Sequence, residues 1–150
     1  MIRLGFVGTG GIQRVHVAAA QSIPGVEFTA VVNHDIDHAK TFADEFKIPN
    51  VYSTIEDLVA AKVVDAVIIS TPNFLHAQQT IAALSAGYHV MVEKPMAMNA
   101  VEAQRMVDSS RSSGTTLMVA HCYRYERVII WLRAQIAAGI LGNILSTRGL

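Results

Sequence analysis

Six short apolar runs recur along this chain, and a helical pattern separates each from the next. The runs fall at residues 2–7, 26–32, 50–52, 65–70, 88–92 and 115–120. They are apolar almost throughout rather than alternating, as in Asp65-Ala66-Val67-Ile68-Ile69-Ser70. Strands of that kind are buried on both faces, which requires a parallel sheet with helices above and below. Between them, residues 36–46 carry Ala39, Phe42, Ala43 and Phe46 at the three-to-four spacing of an amphipathic helix. Residues 12–21, 73–86 and 99–112 read the same way, and Ser53 or Thr54 caps a short helix through Glu56, Asp57 and Leu58. Gly87 and Gly114 stand where left-handed helix stops are expected. Strands alternating with helices predict an α/β fold, a doubly wound parallel sheet of Rossmann type in the order 3-2-1-4-5-6.

The first strand feeds a glycine turn, Gly8-Thr9-Gly10-Gly11-Ile12. Glycines there let a backbone turn tightly and approach a pyrophosphate, whose charge the following helix N-terminus attracts. The sixth position of the usual fingerprint calls for Gly or Ala, and here it is Gln13. At the end of the second strand a dinucleotide site commonly has an acid for the ribose hydroxyls. This chain has Asn33-His34-Asp35. Asn33 can bond a hydroxyl without repelling a 2′-phosphate, and Asp35 either replaces the acid or caps the next helix. The choice between NAD and NADP stays open, leaning to NAD.

Two further segments follow strands. Ser70-Thr71-Pro72-Asn73-Phe74-Leu75-His76 leaves the fourth, with Pro72 ending the strand and Asn73 suited to an N-cap. Glu93-Lys94-Pro95 leaves the fifth, and Ala120-His121-Cys122-Tyr123-Arg124-Tyr125 the sixth. With the glycine turn, these segments resemble the N-terminal domain of the glucose-fructose oxidoreductase/inositol dehydrogenase family, Gfo/Idh/MocA. The resemblance covers essentially the whole chain but only the first half of a typical member.

The resemblance implies a division into an NAD(P)-binding domain at 1–121 and, at 122–150, a crossover helix (128–138) with the first strand (142–150) of a truncated substrate domain. It implies that Gly8, Thr9, Gly10, Gly11, Ile12, Asn33, His34, Ser70, Thr71, Pro72, Asn73, His76, Glu93 and Lys94 bind the cofactor. Lys94 is the catalytic candidate, near the nicotinamide and the substrate hydroxyl. Glu93 would contact the nicotinamide ribose, Pro95 would be cis, and His121 and Arg124 would line the substrate side. His16 matches a histidine frequent in the family. The implied activity is hydride transfer between NAD or NADP and a sugar, polyol or similar alcohol, in a homo-oligomer at full length. Two other readings stay open, a dinucleotide-binding regulator or sensor without turnover and an NAD-dependent glycosidase.

Composition excludes several classes. Lys+Arg and Asp+Glu balance at 12 each, which removes the charge argument for nucleic acid or an anionic membrane. Apolar residues make up 51% and charged residues 16%, enough for a packed core. No run approaches the roughly 18 apolar residues of a membrane span. One cysteine, Cys122, and no leader pattern suit a cytoplasmic protein. Of the six histidines only His34 and His38 have ligand spacing, with no third ligand evident, so no metal is expected.

Overall fold

The computed structural model describes residues 1–148. Contacts divide the chain into one unit from Met1 to Ala120 and a second from His121 onward. The first unit runs β1 (Ile2–Val7), α1 (Gly11–Gln21), β2 (Val26–Val32), α2 (Ile36–Phe46), β3 (Asn50–Tyr52), α3 (Ile55–Ala61), β4 (Ala66–Ile69), α4 (Asn73–Ser85), β5 (His89–Val92), α5 (Ala100–Ser113) and β6 (Leu117–Val119). Its strands form one sheet in the order β3-β2-β1-β4-β5-β6. Every pairing is parallel, with Phe6 beside Val31 on one side and Ile68 on the other.

The pleat sorts the apolar side chains into two cores. Leu4, Phe6, Val31 and Ile68 meet Val17 of α1 and Phe42 of α2 on one face. On the other, Val7, Val67 and Ile69 meet Leu58 of α3, Leu84 of α4 and Met106 of α5. Phe6 packs edge-on against Phe28, ring centres 5.0 Å apart. Phe42 is 1% exposed, so truncation to alanine there costs about 3–5 kcal/mol.

Helix starts follow local chemistry. Asp35 caps α2 by accepting from the amides of Asp37 and His38, and that bonding holds its carboxyl below the usual range. Thr54 caps α3 and Asn99 caps α5, each stabilising by about 1 kcal/mol. Gly87 and Gly114 have positive φ, as expected of left-handed stops.

Three expectations need correction. Asn73 does not cap α4; it is the first helical residue, and Pro72 holds the cap position without a side-chain bond. Proline suits that place because its fixed φ is compatible with helix entry. The fourth, fifth and sixth strands are shorter than residues 65–70, 88–92 and 115–120. Asp65 bonds Arg3 of β1 just before β4 begins, and the Tyr88 hydroxyl donates to the Val59 carbonyl. The strand expected at 142–150 is absent over 142–148, and residues 149 and 150 lie outside the described residues. A strand forms only against a bonding neighbour, and no described residue of the second unit offers one.

That second unit contains a 3₁₀ turn (Cys122–Tyr125) and α6 (Arg127–Ala137). It buries none of the α6 side chains, and Val128, Ile130 and Trp131 are each more than half exposed. No helix among the described residues is long and apolar enough to cross a membrane.

Candidate dinucleotide cleft

In a doubly wound sheet, ligands bind beyond the carboxyl ends of the strands, where the winding reverses. Here the reversal lies between β1 and β4, and a cavity of about 430 Å³ opens there. Its walls are Gly8, Thr9 and Gly10 after β1, Asn33 and His34 after β2, Ser53 and Thr54 before α3, and Ser70, Thr71 and Pro72 after β4. Eight of the sequence-derived candidates therefore share one wall system: Gly8, Thr9, Gly10, Asn33, His34, Ser70, Thr71 and Pro72. Gly11, Ile12, Asn73, His76, Glu93 and Lys94 do not line it.

The turn is built by two different glycine requirements. Gly8 has φ +97°, and a Cβ there would stand 3.0 Å from the Ser70 carbonyl oxygen. It lets β1 press against the start of the β4 loop. Gly10 has φ −70°, which any residue adopts, and nothing lies within 4 Å of where its Cβ would be. Gly11 is equally open. That space lies before α1, which has no side-chain cap and no acid in its first turn. In the first unit only α1 and α4 lack a side-chain cap, and both begin at this cavity. Unsatisfied amides at a helix start attract anions. Open backbone, free amides and a hydroxyl-rich cavity fit a nucleotide pyrophosphate and ribose.

Asn33 is held by neighbours. Its Nδ2 donates to the Thr9 hydroxyl, and its Oδ1 accepts from the Asp35 amide at 3.0 Å. Asp35 turns to cap α2, so no carboxylate lines the cavity. Asp57 lies behind Ser53 and Thr54, taking both hydroxyls; the Thr54 bond holds its carboxyl below the usual range.

Gln13 does not obstruct the turn. It is fully buried, with Nε2 donating to the Ile68 carbonyl at 3.4 Å and Oε1 accepting from the Ser70 hydroxyl. The fingerprint's small residue is replaced here by a long one that bonds β4. His76 is also fully buried, its ring nitrogens 2.9 Å from the carbonyls of Pro95 and Thr71. It sits between the loops after β4 and β5 beneath the surface. In the neutral ring only one nitrogen donates, so only one carbonyl is bonded at a time.

After β5, Glu93 is 9% exposed and Lys94 is exposed. The Lys94 side chain makes no hydrogen bond or ion pair among the described residues, and the Lys94-Pro95 bond is cis. Glu93 Oε1 meets His16 Nε2 at 2.9 Å, and its Oε2 accepts from the Lys94 amide at 2.9 Å. Sequence reasoning set no role for His16 and missed the bonds of Gln13. For both residues the sequence signal is a polar side chain one helical turn before a buried apolar one, Gln13 four places before Val17 and His16 four before Ala20.

A family model described as an oxidoreductase family with an NAD-binding Rossmann fold matches residues 2–121. The chain is 35% identical over 148 residues to 1,5-anhydro-D-fructose reductase of Ensifer adhaerens, covering 99% of this chain and 44% of that protein. It is 37% identical over 142 residues to D-xylose 1-dehydrogenase (NADP(+)) 2 of Haloferax volcanii, covering 95% and 43%. Among solved structures, WlbA dehydrogenase from Bordetella pertussis in complex with NADH and UDP-GlcNAcA superposes with a TM-score of 0.91 at 29% identity, covering 95% of this chain and 41% of that one. The chain thus spans less than half the length of the relatives it matches.

Proposed function

The chain belongs to the Gfo/Idh/MocA oxidoreductase family, and from that premise we propose that it is the cofactor-binding half of an NAD(P)-dependent dehydrogenase acting on a sugar, polyol or similar alcohol. The observation that carries the reading is the uncapped start of α1 behind a glycine turn with open space over Gly10 and Gly11. Gly10, Gly11 and Ile12 would hold the pyrophosphate through main-chain amides. Asn33, His34 and Thr9 would face the adenosine ribose, and Ser70, Thr71 and Pro72 would wall the path toward Lys94. Bound there, the nicotinamide accepts or supplies a hydride.

Lys94 is the catalytic residue of this reading. Its ammonium is a compact cation on a flexible stem, exposed just after β5, the strand next to β4, and without a competing partner among the described residues. It would donate to the substrate oxygen and stabilise the negative charge that grows there as the hydroxyl proton passes to a base ahead of hydride departure or, in the reverse direction, as hydride reaches the carbonyl carbon. Such a contact strengthens in the transition state, so its loss falls on kcat more than on binding.

The test is steady-state NAD(P)H formation across polyols and aldoses, using a protein of the relatives' length that contains this chain. Lys94→Ala should lower kcat by about 10²–10³, as for loss of one donor to a developing oxyanion, with cofactor affinity nearly unchanged. A Lys94→Ala enzyme as fast as its parent would refute the assignment.

A further inference from the structure

We propose that His16 is a positioning residue: it holds the Glu93 carboxylate so that the main chain of Lys94 is fixed beside the cleft. Glu93 is nearly buried, and a carboxylate removed from water needs donors. It has two. His16 Nε2 lies 2.9 Å from Oε1, and the Lys94 amide lies 2.9 Å from Oε2. The His16 and Glu93 side chains are only 16% and 11% exposed, so this is not a solvent-screened surface pair. The main-chain amide of Glu93 also donates to the Ile69 carbonyl at 2.9 Å, which registers the residue against β4.

The position of His16 gives that bond its consequence. It lies on α1, three residues after Gln13, which anchors the same helix to β4 through Ile68 and Ser70. One helix therefore carries both the uncapped end at the glycine turn and the partner of Glu93. On the other side of Lys94, the Pro95 carbonyl lies 2.9 Å from Nδ1 of His76 on α4. Lys94 stands between two residues that each face a histidine, while its own side chain has no partner among the described residues. Each Glu93 oxygen already has a donor, so the carboxylate orients the turn rather than serving a ligand alone. The inference rests on the proposed role of Lys94, but its first measurement does not.

That measurement is amide hydrogen exchange at Lys94 by NMR in the 150-residue chain, comparing His16→Gln with His16→Asn. A glutamine amide reaches the place of Nε2, whereas asparagine is polar but too short. Loss of one hydrogen-bonded constraint should speed Lys94 exchange about tenfold in His16→Asn. Exchange at Ile69 and Val92 should be unchanged, and His16→Gln should stay close to the parent. In the longer enzyme, His16→Asn should lower kcat about tenfold through misplacement of Lys94, with the KM for dinucleotide nearly constant and His16→Gln near the parent. Equal Lys94 exchange in parent and His16→Asn, a uniform increase at all three amides, or failure of glutamine to rescue would each overturn the proposal. A chain that shows the expected exchange but binds no dinucleotide would refute the proposed function and leave the His16 bond intact.

Discussion

Substituting alanine at Gly8 and at Gly10 separates a glycine the fold requires from one a ligand requires. At Gly8 the φ of +97° is strained for any L-residue, at about 1–2 kcal/mol. The added Cβ would also stand 3.0 Å from Ser70 O, 3.1 Å from Ser70 C and 3.2 Å from Thr71 N, all main-chain atoms that cannot rotate away. Overpacking of that kind adds about 1–3 kcal/mol. Gly8→Ala should therefore lose about 2–5 kcal/mol, and the melting temperature should fall on the order of 10 °C. At Gly10 the φ of −70° is ordinary and the Cβ meets nothing within 4 Å. A poorer N-cap and a less flexible unfolded chain oppose each other there, leaving stability within about 1 kcal/mol. A phosphate resting on the turn would nevertheless meet the new methyl group. Losing one charge-assisted amide bond, about 1.5–3 kcal/mol, should weaken NADH binding about 10–100-fold. The assays are thermal unfolding and a fluorescence titration with NADH. Undiminished binding by Gly10→Ala, or equal destabilisation by both substitutions, would refute the division.

Two other outcomes follow from the same contacts. Asn33→Asp keeps an acceptor for the Asp35 amide and can accept from the Thr9 hydroxyl, but adds a charge where no carboxylate lines the cavity. The NADPH-to-NADH ratio of dissociation constants should rise about tenfold, and an unchanged ratio would place Asn33 away from the ribose. Asp65 accepts from the Arg3 guanidinium and amide, which hold its carboxyl at about 2. A depressed carboxyl stabilises the fold above about pH 4 and loses that contribution as pH falls toward 2. Urea unfolding of Asp65→Asn should accordingly lose less stability than the parent across that range, and parallel pH curves would contradict it.

Much of the fold was legible because local signals agreed. The β1 and β2 bounds, Ile2–Val7 and Val26–Val32, coincide with the apolar runs, since each ends at a glycine or polar turn. Gly87 and Gly114 mark helix stops because no other residue takes positive φ as readily. Strand order followed from parallel pairing and the rules of winding. What the sequence hid were contacts between distant segments. Gln13 to Ser70 and His16 to Glu93 join residues 57 and 77 places apart. No periodicity marks such partners, and a polar residue on a buried helix stripe says only that some partner exists. Asn73 was misread because asparagine and proline both favour helix entry, and the order Pro72-Asn73 allowed two starts one residue apart. The expected tail strand failed because propensity cannot replace a neighbouring strand.

The most direct test of the central claim, that the cleft over β1 and β4 holds a nicotinamide dinucleotide, is titration of the 150-residue chain with NADH. The uncapped α1 start, the open turn and the hydroxyl-lined cavity predict saturable binding, with a dissociation constant between about 1 μM and 1 mM. Adenosine diphosphate should compete, because it would occupy the Gly10 and Asn33 walls. An absence of saturable binding at millimolar NADH and NADPH, by a chain that melts cooperatively, would contradict the account.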